Sequence, residues 1–171
     1  LGYVGLPLAL EFAEKGFPVT GFDIDPAKID CLQKGISYIH HLPEERISKI
    51  FGNGKKAKAT CNFRHINECD AIIICVPTPL TKNRDPDMSF IISTANQIGT
   101  FINKNCLVSL ESTTYPGTTE EVLIPILEAK SGLKAGTNFF VAYSPEREDP
   151  SNPSFSTSTI PKVVGAINKD S

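Results

Sequence analysis

Apolar residues along this chain fall into two alternating rhythms: short unbroken runs, and longer stretches in which they recur with each helical turn. The runs predict strands at Val19–Asp23, Ala71–Val76, Leu107–Leu110 and Phe139–Tyr143, with Lys56–Thr60 as an edge strand and Ile160–Val164 as a last one. Helical periodicity covers Pro7–Lys15, where Leu8, Leu10 and Phe12 with Ala9 and Ala13 make one face and Gly16 is the stop. Asp25 and Pro26 supply an N-cap and a first-turn proline for a helix through Leu32, closed by Gly35. Pro43 opens a short helix over Glu44–Phe51, which Gly52-Asn53-Gly54 ends. Asp87–Ile102 reads as a helix whose far end is weakened by Gly99. Thr118 and Glu121 have the spacing of a capping box for the next helix. Pro125 within that helix would cost ~3 kcal/mol in an interior turn, so a kink or a restart is expected there.

Strands that alternate with helices, each strand almost continuously apolar, imply a parallel sheet covered on both faces. The expected fold class is α/β, a Rossmann-type doubly wound parallel sheet. Such sheets bind ligands outside the carboxyl ends of their strands. That rule selects Gly2–Gly5, Asp23, Val76–Pro79, Ser112–Gly117 and the stretch from Glu146 to Glu148, which is also where the polar and turn-forming residues gather.

Gly2 and Gly5 have the spacing of the last two glycines in a dinucleotide-binding G-x-G-x-x-G turn. Glycine suits that turn because the backbone must bend tightly and approach a pyrophosphate without a Cβ in the way. The N–H groups at the start of the next helix then face the anion. Asp23 closes the following strand about 20 residues on, where this fold keeps the acid that holds the adenosine ribose. The chain opens on Leu1, with no methionine, no buried strand ahead of the turn and no third glycine. The expectation is a fragment whose sheet lacks its central first strand, poorly stable alone and weak in binding its dinucleotide.

A formal charge of −2 gives no electrostatic case for nucleic acid or a membrane surface. The longest apolar run, Ala71–Val76, is far too short to cross a bilayer. Cys31, Cys61, Cys69, Cys75 and Cys106 are odd in number and contain no C-x-x-C pair, which reads as free thiols in a reducing cytoplasm. Cys75 and Cys106 lie in apolar strands, and no cysteine has the basic neighbour a nucleophile requires. His40, His41 and His65 lack metal-ligand company and read as solvated surface, so no metal is expected.

Four stretches carry a family resemblance: Gly2 to Pro7, Val76-Pro77-Thr78-Pro79-Leu80, Glu111 through Glu121 (ESTTYPGTTEE), and Tyr143 through Pro150 (YSPEREDP). In these the sequence closely resembles the NAD-binding domain of the UDP-glucose/GDP-mannose dehydrogenase family. Tyr38-Ile39-His40-His41-Leu42-Pro43 and Thr159 through Gly165 (TIPKVVG) resemble its branch acting on UDP-N-acetyl-D-glucosamine. The resemblance covers residues 1–171 as a cofactor domain and implies oxidation of the sugar C6 alcohol to a carboxylate in two hydride transfers to NAD, for surface polysaccharide synthesis. In such enzymes a cysteine holds the aldehyde-level intermediate and a thioester is hydrolysed. That cysteine, a lysine and much of the sugar pocket belong to a later region. A nucleotide-sugar substrate and homo-oligomers formed through that region are expected. UDP-glucose 6-dehydrogenase, or a non-catalytic NAD-binding interaction module, are the alternatives.

The resemblance implies cofactor contacts from Gly2, Tyr3, Val4, Gly5, Asp23, Lys28, Val76, Pro77, Thr78 and Thr113. Asp23 would accept from the ribose hydroxyls, and its charge would repel a 2′-phosphate, favouring NAD over NADP. Lys28 either lies near that ribose or is solvated. Thr113 is implied near the nicotinamide, positioning a water or the reacting oxygen; either threonine hydroxyl could instead serve a local turn. Glu146 and Glu148 are the acid/base and substrate-loop candidates, since thioester hydrolysis needs a group that takes a proton from water. Which of the two is the base stays open. Arg147 faces the substrate diphosphate or balances charge.

Overall fold

The first apolar run becomes β1, Val19–Phe22, which pairs in parallel with β2, Ala57–Thr60, in a computed structural model that describes residues 1–52, 56–147 and 160–171. The chain divides into two compact units, Leu1–Asn62 with Arg147–Pro161, and Phe63–Glu146 with Lys162–Ser171.

In the first unit the glycine turn runs straight into α1, Gly5–Glu14, whose face Leu6, Leu10 and Ala13 is buried. Helix α2, Pro26–Gln33, starts as the sequence foretells: the Asp25 carboxylate accepts from the Ala27 N–H at 2.9 Å, and Pro26 stands in the first turn. Helix α3, Glu44–Ile50, adds Ile47 and Ile50 to the same core. Arg46 on α3 reaches α1, its Nε donating to Glu14 at 2.8 Å and its Nη2 to Glu11 at 2.5 Å. The expected terminator Gly52-Asn53-Gly54 lies partly outside the described residues, since only Gly52 of the three is described.

The second unit carries β3, Ala71–Ile74, β4, Leu107–Leu110, β5, Phe140–Tyr143, and β6, Gly165–Ala166, in the spatial order β3-β4-β5-β6. The first three are parallel and in step, with Ile74 opposite Leu110 and Leu110 opposite Tyr143. Helix α4, Ser89–Phe101, packs on α5, Ile124–Ser131. Gly99 does not fray α4. A Cβ there would lie 2.7 Å from Lys130 Cβ and 3.3 Å from the Leu127 backbone, so glycine is what allows α5 to approach. A 3₁₀ segment, Phe63–Glu68, has no counterpart in the sequence reading.

Two expectations are corrected. Ile160–Val164 is not a strand; pairing falls on Gly165–Ala166 and is antiparallel to β5. Pro161 has no N–H to give a ladder, and Val163 and Val164 are exposed. Thr118 and Glu121 form no capping box. Thr118 is itself helical (φ −50°, ψ −41°), its hydroxyl donates back to the Tyr115 carbonyl at 2.8 Å, and the Glu121 N–H already goes to Gly117 O at 2.8 Å. The helix opens instead as a π-turn over Thr119–Leu123 and restarts as α5 with Pro125 in its first turn, where no N–H is missed. Cys75 and Cys106 each lie one residue outside their strands, because the ladders end at Ile74 and start at Leu107.

Candidate functional site: a dinucleotide turn and a row of strand exits

In the first unit Gly2 and Val4 carbonyls accept the Leu6 and Leu8 N–H groups at 3.1 and 3.3 Å, so the turn winds directly into α1. Val4 is the N-cap and offers no side-chain cap. A helix start without a side-chain cap leaves its first N–H groups able to face an anion. A Cβ on Gly2 would have no atom of the described residues within 4 Å, so this side of the turn is open to a ligand.

Asp23 sits one residue beyond β1, where its N–H still completes the ladder to Thr60 O at 3.3 Å. Its side chain is only 8% exposed, and its Oδ2 accepts from the Leu1 amino nitrogen at 2.6 Å and from Lys28 Nζ at 3.2 Å. Oδ1 accepts from the Asp25 N–H at 3.0 Å. Burial by itself would raise the carboxyl pKa. The Asp25 N–H and the Lys28 ammonium act against that rise and favour the ionised carboxylate. The acid and the start of the glycine turn are thus brought together, with Lys28 beside them.

Two contacts in this unit were not foreseen from the sequence. Tyr38 Oη donates to the Leu1 carbonyl at 2.8 Å, and the His41 ring stacks on Tyr3 with centroids 5.8 Å apart.

In the second unit the exits of β3 and β4 are tied to each other. Ser112 Oγ donates to Val76 O at 2.7 Å, and Thr78 Oγ1 donates to Thr113 O at 2.5 Å. The Thr78 hydroxyl proton therefore serves the chain, while Pro77 and Thr113 are exposed. Glu111, buried at the end of β4, is paired with Lys162 Nζ from the segment leading to β6. No spacing rule could join residues so far apart in the chain. Burial, followed by the Glu111 and Glu146 carboxylates, pushes the Cys75 thiol up to about 12, so it is no nucleophile at neutral pH. A cavity of about 450 Å³ opens beside the same loops, lined by Tyr115, Gly117, Thr118 and Tyr143 among others. Glu146 is partly buried after β5; Arg147 is exposed and belongs to the first unit; Glu148 lies outside the described residues. No group of His, Cys, Asp and Glu among the described residues could hold a metal ion.

Over residues 1–171 the sequence matches the UDP-glucose/GDP-mannose dehydrogenase family, NAD binding domain. The chain belongs to that family. The UDP-N-acetyl-D-glucosamine 6-dehydrogenase of Pseudomonas aeruginosa is 38% identical over 164 residues, covering 96% of this chain and 38% of that protein. The crystal structure of NDP-N-acetyl-D-galactosaminuronic acid dehydrogenase from Methanosarcina mazei Go1 superposes with a TM-score of 0.86 at 35% identity, over 99% of this chain and 38% of that one. The UDP-D-ManNAc dehydrogenase of Pyrococcus horikoshii gives 0.88 at 33%, over 99% and 40%. This UDP-glucose/GDP-mannose dehydrogenase family domain thus spans about 38% of its curated relative's length. NAD is its cofactor, and the open Gly2 side, the helix start without a side-chain cap and the ionised Asp23 fit that nucleotide. Its fold is the Rossmann-type α/β arrangement of those structures.

Proposed function

We propose that residues 1–171 belong to the NAD-binding domain of an enzyme that oxidises the C6 alcohol of a UDP-N-acetylhexosamine, UDP-GlcNAc, to the uronic acid. Its product would feed surface polysaccharide synthesis. The observation that carries this is the 38% identity to a UDP-N-acetyl-D-glucosamine 6-dehydrogenase over 96% of the chain. Bound NAD supplies the hydride acceptor. Gly2, Tyr3, Val4 and Gly5 hold its pyrophosphate through backbone N–H groups, and Asp23 with Lys28 faces the adenosine ribose. Val76, Pro77 and Thr78 form a stiff wall for the cofactor, braced by the Thr78–Thr113 bond. Thr113 orients the water or reacting oxygen. In the hydrolytic step a carboxylate, Glu146 or Glu148, takes a proton from water, and Arg147 meets the substrate diphosphate. Five free thiols support a cytoplasmic setting, and no described helix is long and apolar enough to cross a membrane. Homo-oligomeric assembly belongs to the same reading.

The relatives act on differently named sugars, so the test is a substrate panel. The intact protein is mixed with NAD and UDP-GlcNAc, UDP-ManNAc, UDP-GalNAc or UDP-glucose while NADH absorbance is followed. Two NADH per UDP-GlcNAc, with slower turnover of the others, is expected. NADH from UDP-glucose alone would transfer the assignment to a UDP-glucose 6-dehydrogenase, and none from any sugar would leave a non-catalytic NAD-binding module.

A further inference from the structure

The segment Ile36–Leu42 has no part in the reading above, yet it grips the dinucleotide turn at two points. Tyr38 Oη donates to Leu1 O at 2.8 Å. The His41 ring lies on Tyr3 at 5.8 Å and 27° between planes. The segment is itself fixed. Ile39 and Leu42 are buried in the core that α1 shares, the Leu42 N–H donates to Ile39 O at 3.0 Å, and Ser37 Oγ donates to Ile39 O at 3.0 Å.

A peptide unit is planar and trans, so its C=O and N–H point in opposite directions. Holding the Leu1 carbonyl on Tyr38 therefore also fixes the direction of the Gly2 N–H. Glycine at that position has no side chain to resist rotation of the neighbouring peptides. Tyr3 is 60% exposed, and the His41 stack limits rotation at that residue.

We propose that Tyr38 and His41 are positioning residues for the cofactor turn: they hold the Leu1–Gly2–Tyr3 backbone in the orientation that presents its N–H groups to a dinucleotide pyrophosphate. The inference rests on the NAD reading of that turn. The His41 contribution is aromatic stacking, so a phenyl ring can replace it.

The test measures NAD dissociation constants by calorimetry, together with KM for NAD and kcat, in the intact protein. Tyr38→Phe removes one hydroxyl, and His41→Ala removes the stack. Each is expected to raise the NAD dissociation constant and KM roughly 2- to 10-fold, the range for one ordinary hydrogen bond, with kcat at saturating NAD held within about twofold. His41→Phe is expected to recover most of the affinity lost in His41→Ala. Wild-type affinity in both Tyr38→Phe and His41→Ala overturns the proposal while the NAD reading stands. Losses that merely follow a falling melting temperature overturn it too, and failure of His41→Phe to recover overturns the stacking role. A wild-type protein that binds no NAD sinks the cofactor reading itself and the proposal with it.

Discussion

Asp23 is a largely buried carboxylate surrounded by donors, and its charge is what the cofactor reading uses. Asp23→Asn keeps the size and removes the charge. Charge-assisted hydrogen bonds are worth ~1.5–3 kcal/mol, so NAD affinity should fall about 10- to 100-fold. Discrimination against NADP should narrow at the same time, because the charge that repels a 2′-phosphate has gone; calorimetry with both nucleotides measures the pair. In the 171-residue chain, where the Leu1 amine is free, the folded-state pKa is lowered, so the carboxylate stabilises the fold above its unfolded value of about 4. That contribution disappears as pH falls through the depressed folded value. Urea midpoints recorded from pH 6 downward should therefore drop more steeply for wild type than for Asp23→Asn. The thiols give an independent check. Burial pushes Cys106, like Cys75, up to about 12, so both stay protonated thiols at pH 8. Cys61 is exposed and should react with a thiol reagent at once, whereas Cys106 should wait for urea.

Among the elements, the α4–α5 contact sets two effects of one substitution against each other. Gly99→Ala gains about 1 kcal/mol of helix propensity. It also forces a Cβ to within 2.7 Å of Lys130 Cβ and 3.3 Å of the Leu127 backbone, and neither is the free end of a flexible chain. Overpacking of this kind costs about 1–3 kcal/mol, so the urea midpoint should fall rather than rise. Element existence was largely legible in the sequence because core strands such as Leu107–Leu110 are unbroken apolar runs between turn signals, and Asp25-Pro26 is a local cap. What was illegible depended on partners far away in the chain. Gly99 reads as a helix breaker until Leu127 is placed beside it. The apolar run at 160–164 reads as a strand until Lys162 is seen paired with Glu111. The site divides the same way. The glycine turn and Asp23 follow from spacing, but Tyr38 and His41 bear on the turn only through a loop whose path is set by burial of Ile39 and Leu42.

At the scale of the molecule, the strands that carry the proposed site lead directly into its loops, and the parallel register keeps their ends level within each sheet. Sheet order has another effect. At one margin, β6 is a two-residue antiparallel strand, too short to template anything. At the other margin stands β3, the Ala-Ile-Ile-Ile segment, with no strand hydrogen-bonded to its far side among the described residues. An apolar margin without a strand partner among the described residues is a template onto which a second polypeptide can pair. The 171-residue chain should scatter light increasingly with concentration, and Ala71→Lys, which plants a charge at an exposed position on that strand, should suppress the rise.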